Sequence, residues 1–219
     1  MGERCYKTAA WGLRRLFALA GGIDWMRGRG SGLEVRGQAN MPASGRLLVA
    51  SNHASFLDPM LVGCALPRPI HFMARKSLFK PIFGWMIRNV LAFPVDRDGD
   101  PRNAFRAVGD LLEQERAVGI FPEGTRSETG RMGEVKAGIA MLASKYRAPV
   151  LPVYAWGTFQ SWPKGRKLPR PHRTKVFAGE VIPPPEPGKD AQRVWLAQLT
   201  ATMLDLERQA WSGHGPERS

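Results

Sequence analysis

The sequence predicts an α/β fold: one domain in which helices flank a mixed, mostly parallel sheet, preceded by an amphipathic N-terminal helical segment. Short apolar runs of strand length alternate with segments of helical periodicity along most of the chain. The 219 residues are enough for one domain with a sizeable core. Polar side chains follow several predicted strands, which is where open α/β sheets bind their ligands.

Four predicted strands precede residue 96, and two helical segments lie between them. Residues 56–66 predict a helix that Pro67 ends, and residues 77–89, apolar on nearly every side, predict further helical turns. The strands are the apolar runs at residues 33–37, 46–50, 70–74 and 91–95. A Gly-rich break at residues 28–32 separates this domain, residues 33–219, from the N-terminal segment.

Three further strands alternate with three helices in the second half of the chain. Pro101 stands at the first position of a helix that extends to residue 116, with Phe105, Val108 and Leu111 at helical spacing. Asp190 is the predicted N-cap of a closing helix that extends to residue 211. The strands cover residues 118–121, 150–155 and 175–182, the middle helix covers 134–146, and a basic, Pro-bearing connection covers 160–175.

The composition indicates an anionic partner and no structural metal. Lys and Arg outnumber Asp and Glu by 32 to 19, a net charge of +13, which favours nucleic acid, anionic lipid or a phosphorylated substrate. Cys5 and Cys64 form no CxxC motif and the four histidines are scattered, so we expect neither a zinc site nor a disulfide framework. A reducing, cytosol-facing environment fits this cysteine usage.

Residues 1–32 predict a helical segment that associates with a membrane surface. Their longest apolar stretch, residues 11–23, is interrupted by Arg14 and Arg15, whereas a spanning helix needs about 20 apolar residues. No clean apolar run leads to a small-residue cleavage site, so a signal peptide is not expected. Trp and Leu interleaved with Arg and Lys suit the headgroup region of a bilayer, the alternative being a helix packed on its own domain.

The first motif with catalytic potential is NHASFLD, residues 52–58. His53 follows a predicted strand, and Asp58 five residues later can accept the proton on its Nδ1, which frees Nε2 as a base. Because no GxSxG motif supplies a serine nucleophile, the pair suggests that the substrate brings the hydroxyl. The alternative is an Asp58 that only caps a helix beside an incidental His53.

A second motif, FPEGTRS, follows the strand at residues 118–121. Gly124, the Thr125 hydroxyl and Arg126 can direct backbone N–H groups and a guanidinium at a phosphate, and Glu123 can hold an Arg or a substrate hydroxyl. Arg97, in Val-Asp-Arg at another strand end, is a third candidate. For each arginine taken alone, a surface position is the alternative.

These motifs together resemble the glycerolipid acyltransferase family, in particular its bacterial 1-acyl-glycerol-3-phosphate acyltransferases. NHASFLD matches the family pattern NHxSxxD, and FPEGTRS matches the third family block without a change. FPVDR and APVLPVY, residues 148–154, resemble the second and fourth blocks. The resemblance extends from about residue 33 to residue 182. The chain departs from the family at Val135, where members often have an aromatic residue before Lys136.

The resemblance implies a reaction and a set of roles. His53 would be the general base for the acceptor hydroxyl, and Asp58 would orient it. The acyl group would pass from acyl-CoA or acyl-carrier protein to the sn-2 hydroxyl of 1-acyl-glycerol 3-phosphate, forming phosphatidic acid without a covalent enzyme intermediate. Neither a bound cofactor nor a metal is implied. The implied phosphate-binding residues are Arg97, Glu123, Gly124, Thr125 and Arg126, with Asn52, Ser55, Lys76 and Lys136 in supporting positions.

Two alternative functions are open, and the sequence also predicts where the protein acts. The same chemistry on glycerol 3-phosphate, a lyso-ornithine lipid or another lysophospholipid would use the same motifs. A basic nucleic-acid-binding protein would explain the charge, but the sequence has no recognition helix or RNP-like strand and NHASFLD would be left unexplained. The expected partner is the anionic, cytoplasmic face of a membrane, held by residues 1–32 and by the cations Lys164, Arg166, Lys167, Arg170, Arg173 and Lys175.

Overall fold

The computed structural model describes residues 32–75, 93–95 and 100–212. Four predictions therefore lie outside the described residues: the membrane segment at residues 1–32 apart from its last residue, the helical turns at 77–89, Lys76 and Arg97. The described helices include none long and apolar enough to cross a membrane.

The described residues form a seven-stranded sheet that is parallel except at one pair of neighbours, as predicted. The strand order is β1-β7-β6-β2-β5-β3-β4, and the antiparallel pair is β6 with β7. The strands are β1 Leu33–Arg36, β2 Leu47–Ser51, β3 Ile70–Arg75, β4 Phe93–Val95, β5 Ala117–Ile120, β6 Val150–Trp156 and β7 Thr174–Ala178.

The centre of the sheet is buried on both sides. Every residue of β2, β5 and β6 is buried, which explains their continuous apolar runs. Val49 of β2 lies between Gly119 of β5 and Leu151 of β6, so these strands are the middle of the domain.

Helices cover both faces of the sheet. On one face, Leu61 and Val62 of α1 pack with Val49. On the other face, Leu112 of α2 and Leu199 of α5 pack in a second cluster. That cluster also contains the alternate residues of β2, β5 and β6, whose side chains lie on this face. The helices are α1 Asp58–Ala65, α2 Pro101–Glu113, α3 Gly138–Lys145, α4 Thr158–Ser161 and α5 Lys189–Trp211. The structure thus confirms the predicted α/β class, with helices on both sides of the sheet.

Of two predicted helix starts, the structure confirms the one at Pro101 and contradicts the one at Asp190. Pro101 is the first residue of α2, and Asp100 caps it by accepting a 2.9 Å bond from the Arg102 N–H. The predicted N-cap at Asp190 was wrong, because α5 begins at Lys189 after Gly188 and Asp190 lies inside the first turn. A carboxylate in the first turn still interacts favourably with the helix dipole.

The connection predicted as a basic loop at residues 160–175 is shorter in the structure. Residues 158–161 form α4, and β7 begins at Thr174, so the basic loop consists of residues 162–173. Lys175 was predicted both as the last residue of this loop and as the first residue of the next strand. The structure confirms the strand assignment: Lys175 lies in β7, is buried and donates a 3.0 Å hydrogen bond to the Ala210 carbonyl, so its prediction as a membrane-facing cation of the loop was wrong. Burial lowers the pKa of Lys175.

Candidate active site

The candidate site lies where β2 and β5 end. These strands are parallel neighbours that end at Ser51 and Ile120, so the residues after each meet at the same edge of the sheet. We call residues 52–58 the catalytic turn and residues 122–127 the cationic turn. The Ser127 N–H donates a 2.7 Å bond to the His53 carbonyl, which joins the two turns directly.

His53 and Asp58 form the hydrogen-bonded pair that their spacing predicts. His53 Nδ1 lies 2.8 Å from Asp58 Oδ2, and the histidine side chain is 15% exposed whereas the aspartate is fully buried. An Asp carboxylate at Nδ1 favours the tautomer with the proton on that nitrogen. Nε2 is then the basic nitrogen, on a side chain that solvent and substrate can reach.

The Asp58 carboxylate is fixed by the turn that carries it. The N–H groups of Ala54 and Ser55 each donate a 2.7 Å bond to Oδ2, the same oxygen that His53 contacts. Asp58 is the first residue of α1, where the helix dipole also favours a negative charge. Its Oδ1 is buried and has no hydrogen-bond partner among the described residues.

Glu123 binds backbone on both sides of the site. Its Oε1 accepts a 2.7 Å bond from the His53 N–H, and its Oε2 accepts a 2.7 Å bond from the Gly133 N–H. Burial raises the pKa of Glu123, and the two N–H groups oppose that shift. The carboxylate thus fastens the catalytic turn to the loop at residues 130–137.

A stack of aromatic rings packs against the His53 ring. The His53 ring stacks on Phe121 with centroids 4.1 Å apart, and Phe121 stacks on Phe72 at 5.8 Å. Gly119 makes this possible, because a Cβ there would lie 2.2 Å from the Phe72 ring. The imidazole plane is therefore held by contacts that its bond to Asp58 does not provide.

Arg126 lies across an aromatic ring of the catalytic turn. Its guanidinium carbon is 3.8 Å from the centroid of Phe56, and Nη1 is buried without a hydrogen-bond partner among the described residues. Burial lowers the pKa of Arg126, while the Asp58 charge opposes the shift. A buried, unbonded guanidinium nitrogen is a donor available to an anionic ligand.

The rest of the cationic turn is open. Gly124 has a φ of 75°, which closes a tight turn through a 3.0 Å bond from its N–H to the Phe121 carbonyl. Lys136 lies over it, since a Cβ on Gly124 would be 3.1 Å from the Lys136 Nζ. Thr125 is exposed. The structure thus brings Gly124, Arg126 and Lys136 together beside the His53–Asp58 pair.

Asn52 and Ser55 have structural partners. Asn52 exchanges two hydrogen bonds with Ala155 of β6, at 3.0 and 2.7 Å. The Ser55 hydroxyl donates a 2.7 Å bond to the carbonyl of Trp162, the first residue of the basic loop. These contacts tie the catalytic turn to β6 and to the basic loop.

Sequence reasoning missed a buried cluster behind the cationic turn. Glu207 of α5 accepts a 3.0 Å bond from the Tyr154 hydroxyl and a 3.1 Å bond from the Met132 N–H. Since Gly133 follows Met132 and donates to Glu123, the cluster anchors the same loop that positions the site. No local signal marks Glu207, which is one of many polar residues on an amphipathic helix. Phe56 and Phe121, by contrast, stand inside the two motifs.

Comparison with known proteins identifies the family of this chain. The family model described as Acyltransferase matches residues 32–156, and the chain belongs to this family. The 1-acyl-sn-glycerol-3-phosphate acyltransferase of Bacillus subtilis is 30% identical over 179 residues, which cover 81% of this chain and 82% of that protein. The protein of the same name from Pseudomonas aeruginosa is 30% identical over 153 residues, which cover 68% of this chain and 58% of its own length.

A solved structure has the same fold. The crystal structure of the 1-acyl-sn-glycerophosphate acyltransferase PlsC from Thermotoga maritima superposes with a TM-score of 0.65 at 28% sequence identity. The match covers 80% of this chain and 71% of that one. The α/β acyltransferase fold and the family resemblance are thereby confirmed.

Proposed function

We propose that this protein transfers a fatty acyl group from acyl-CoA or acyl-carrier protein to the sn-2 hydroxyl of 1-acyl-glycerol 3-phosphate, forming phosphatidic acid. The observation that carries the proposal is the His53–Asp58 pair beside a guanidinium nitrogen of Arg126 that has no hydrogen-bond partner among the described residues. The names of the relatives from Bacillus subtilis and Pseudomonas aeruginosa support the same acceptor.

The reaction needs no protein nucleophile. His53 Nε2 removes the proton from the sn-2 hydroxyl as its oxygen attacks the thioester carbonyl carbon. The new C–O bond forms, the tetrahedral intermediate collapses, and the C–S bond breaks. The departing thiolate takes the proton from the imidazolium, so that His53 returns to its neutral form. Asp58 holds the ring and stabilises the imidazolium between the two proton transfers.

The cationic turn supplies the binding site for the acceptor's phosphate. Arg126 and Lys136 provide two positive charges there, and Gly124 allows the backbone to approach a ligand closely. Arg97 and Thr125 belong to the same proposed set. Because both oxygens of Glu123 bind backbone N–H groups, we assign it the positioning of His53 and of the turn.

Negative charge also develops on the thioester oxygen, which requires a positive or N–H donor group. The candidates on this chain are Lys136, Lys76 and backbone N–H groups near residues 148–154. The protein would act as a peripheral enzyme on the cytoplasmic face of an anionic membrane, without a bound cofactor or metal. The sequence of residues 1–32, with Trp and Leu among Arg and Lys, supports that location.

The test is an acyl-transfer assay with a panel of acceptors. The full chain is incubated with oleoyl-CoA or oleoyl-carrier protein and with 1-acyl-glycerol 3-phosphate, and phosphatidic acid is measured by mass spectrometry. Parallel reactions contain glycerol 3-phosphate, lyso-ornithine lipid and lysophosphatidylcholine. We expect the highest kcat/KM with 1-acyl-glycerol 3-phosphate. A higher kcat/KM with any other acceptor would show that the proposed acceptor is wrong, although the acyl-transfer chemistry would stand.

A further inference from the structure

The basic loop lies beside the candidate active site, and hydrogen bonds close its base. Ser161 and Arg170 are joined by two hydrogen bonds, Arg170 N–H to the Ser161 carbonyl at 2.9 Å and the Ser161 hydroxyl to the Arg170 carbonyl at 2.6 Å. Arg170 Nε adds a 2.6 Å bond to the Gln160 carbonyl. Residues 162–169 are therefore a loop with a fixed base, and residues 164–171 are all exposed.

The charge of this loop has one sign. Residues 162–173 contain five cations and no acidic residue. Lys164 pairs with Glu128 at 2.9 Å, but no described acidic side chain lies within 4.0 Å of Arg166 or Lys167. Two adjacent cations on an exposed loop attract an anionic surface over about one Debye length, roughly 8–10 Å at physiological salt.

An exposed apolar side chain stands next to these cations. Leu168 is 75% exposed, compared with 68% for Val194, 53% for Met141 and 42% for Leu204, the other large apolar side chains on the described surface. A single exposed leucine needs no partner, but one that follows Arg166 and Lys167 directly has the composition of a membrane-inserting tip. Nucleic acid would use the cations and leave Leu168 in water, whereas the acyl chains of a bilayer would bury it.

The base of the loop contacts the catalytic turn. Trp162 accepts the bond from the Ser55 hydroxyl at 2.7 Å, and its ring lies 5.8 Å from that of Phe56, on which Arg126 packs. A bilayer that binds the tip of the loop is therefore brought close to both His53 and Arg126. That position suits an enzyme whose acceptor has its acyl chain in the bilayer and its phosphate at the surface.

We propose that residues 164–170 dock on an anionic phospholipid bilayer, with Arg166 and Lys167 on the lipid phosphates and Leu168 below them among the acyl chains. This inference extends the proposed function by locating the face that meets the membrane. Its test uses vesicles that contain neither acceptor nor acyl donor, so that its outcome does not depend on acyl transfer.

The test places an environment-sensitive fluorophore at the tip of the loop. Leu168→Cys is made in a Cys5→Ser background of the full chain and labelled with a nitrobenzoxadiazole dye, while Cys64 is buried and remains unlabelled. Val194→Cys is the matched control, a similarly exposed apolar residue that also follows a basic residue, Arg193. Vesicles contain phosphatidylcholine alone or with one-third phosphatidylglycerol.

We expect the dye at position 168 to shift to the blue and brighten several-fold with the anionic vesicles only, and the dye at position 194 to stay unchanged. Replacing Arg166 and Lys167 by Gln should weaken binding to anionic vesicles by roughly 30-fold, because each cation near such a surface contributes about fivefold. Lys189→Gln with Arg193→Gln removes the same charge at the start of α5 and should leave binding within about twofold.

Three results would overturn the proposal. One is an unchanged fluorescence of the dye at position 168, whether or not the protein sediments with the vesicles. Another is an equal response at position 194, and the third is an equal loss of binding in the two charge variants. A response of the dye at position 168 to acyl-carrier protein but not to vesicles would assign the loop to a protein partner instead.

Discussion

The two turns of the candidate active site lie at the same edge of one sheet, yet they differ in how far the protein satisfies their polar groups. In the catalytic turn, Asn52, Ser55 and one oxygen of Asp58 all have hydrogen bonds to protein. In the cationic turn, Gly124 and Thr125 are exposed and Arg126 Nη1 has no partner among the described residues. Among the described residues, the first turn is thus held by hydrogen bonds to protein and leaves only one buried side-chain atom, Asp58 Oδ1, unpartnered, whereas the second presents two exposed residues and an unpartnered guanidinium nitrogen.

The difference matches the role proposed for each turn. A general base works when it is held at one distance and angle from the hydroxyl, so its supports must be protein atoms. A phosphate site needs donors that the protein has not already used. Leaving a buried guanidinium nitrogen unbonded costs about 1–3 kcal/mol, a cost that a ligand phosphate would offset. Four substitutions test this contrast.

The largest effect is expected for His53→Ala. Removing the base should lower kcat about 10³-fold, the middle of the roughly 10²–10⁴-fold that general bases contribute. The side chain is partly exposed, so the fold should remain intact by circular dichroism. His172→Ala, in the basic loop, is the matched control and should keep kcat within about threefold. A His53→Ala enzyme with full activity would refute the assigned base.

Asp58→Asn should follow, with kcat lowered about 10²-fold or more. The amide oxygen can take the place of Oδ2, on which three donors converge, but it is neutral. The stabilising charge beside the imidazolium is therefore gone. The split between kcat and KM distinguishes this role from a structural one, because loss of the charge beside the imidazolium should lower kcat and leave the KM for the acceptor within about threefold. A kcat that falls no further than the folded fraction of the variant would show that Asp58 serves only to hold the turn.

Arg126→Gln should affect binding of the acceptor more than the chemical step. Loss of a charge-assisted hydrogen bond predicts a kcat/KM for 1-acyl-glycerol 3-phosphate lowered by roughly 10- to 100-fold, mostly through KM. Arg131→Gln is a close control, because its guanidinium also lies 3.8 Å over an aromatic ring, that of Trp211. Equal effects in the two variants would assign Arg126 to packing instead of phosphate binding.

Glu123→Gln should have the smallest effect on rate and a measurable effect on stability. The amide can accept from His53 or from Gly133 but not from both, so one buried N–H loses its acceptor. We expect a loss of about 1–3 kcal/mol in the free energy of unfolding by urea and a fall in kcat of about tenfold. A variant that unfolds like the wild type would show that Glu123 does not fasten the two turns.

Much of the fold was predictable because strand length and burial are local properties. The strand positions agree within a few residues, and the parallel majority follows from the alternation with helices. The antiparallel pairing of β6 with β7 was not predictable, since both are buried throughout and an apolar run on a buried strand contains no sign of direction. The N-cap prediction at Asp190 failed because the N-cap is Gly188, two residues earlier, and the helix begins at Lys189.

The contacts of the candidate site likewise divide into those that the sequence predicts and those that it does not. The contact between His53 and Asp58 spans five residues, so the motif itself predicts it. The bond from His53 to Glu123 spans 70 residues and that from Tyr154 to Glu207 spans 53, so both depend on how the strands are ordered in the sheet. The role of Glu123 in fastening the turns therefore became visible only in three dimensions.

In the proposed reaction the hydroxyl of the lipid acceptor replaces a protein nucleophile, so no acyl-enzyme should form. The wild-type chain is incubated with acyl-CoA in the absence of acceptor, quenched rapidly with acid and measured by intact-mass spectrometry. We expect an unmodified protein and no stoichiometric release of CoA, with both product and free CoA appearing only when 1-acyl-glycerol 3-phosphate is added. A protein heavier by one acyl group, which loses that group on addition of the acceptor, would show that the protein supplies the nucleophile.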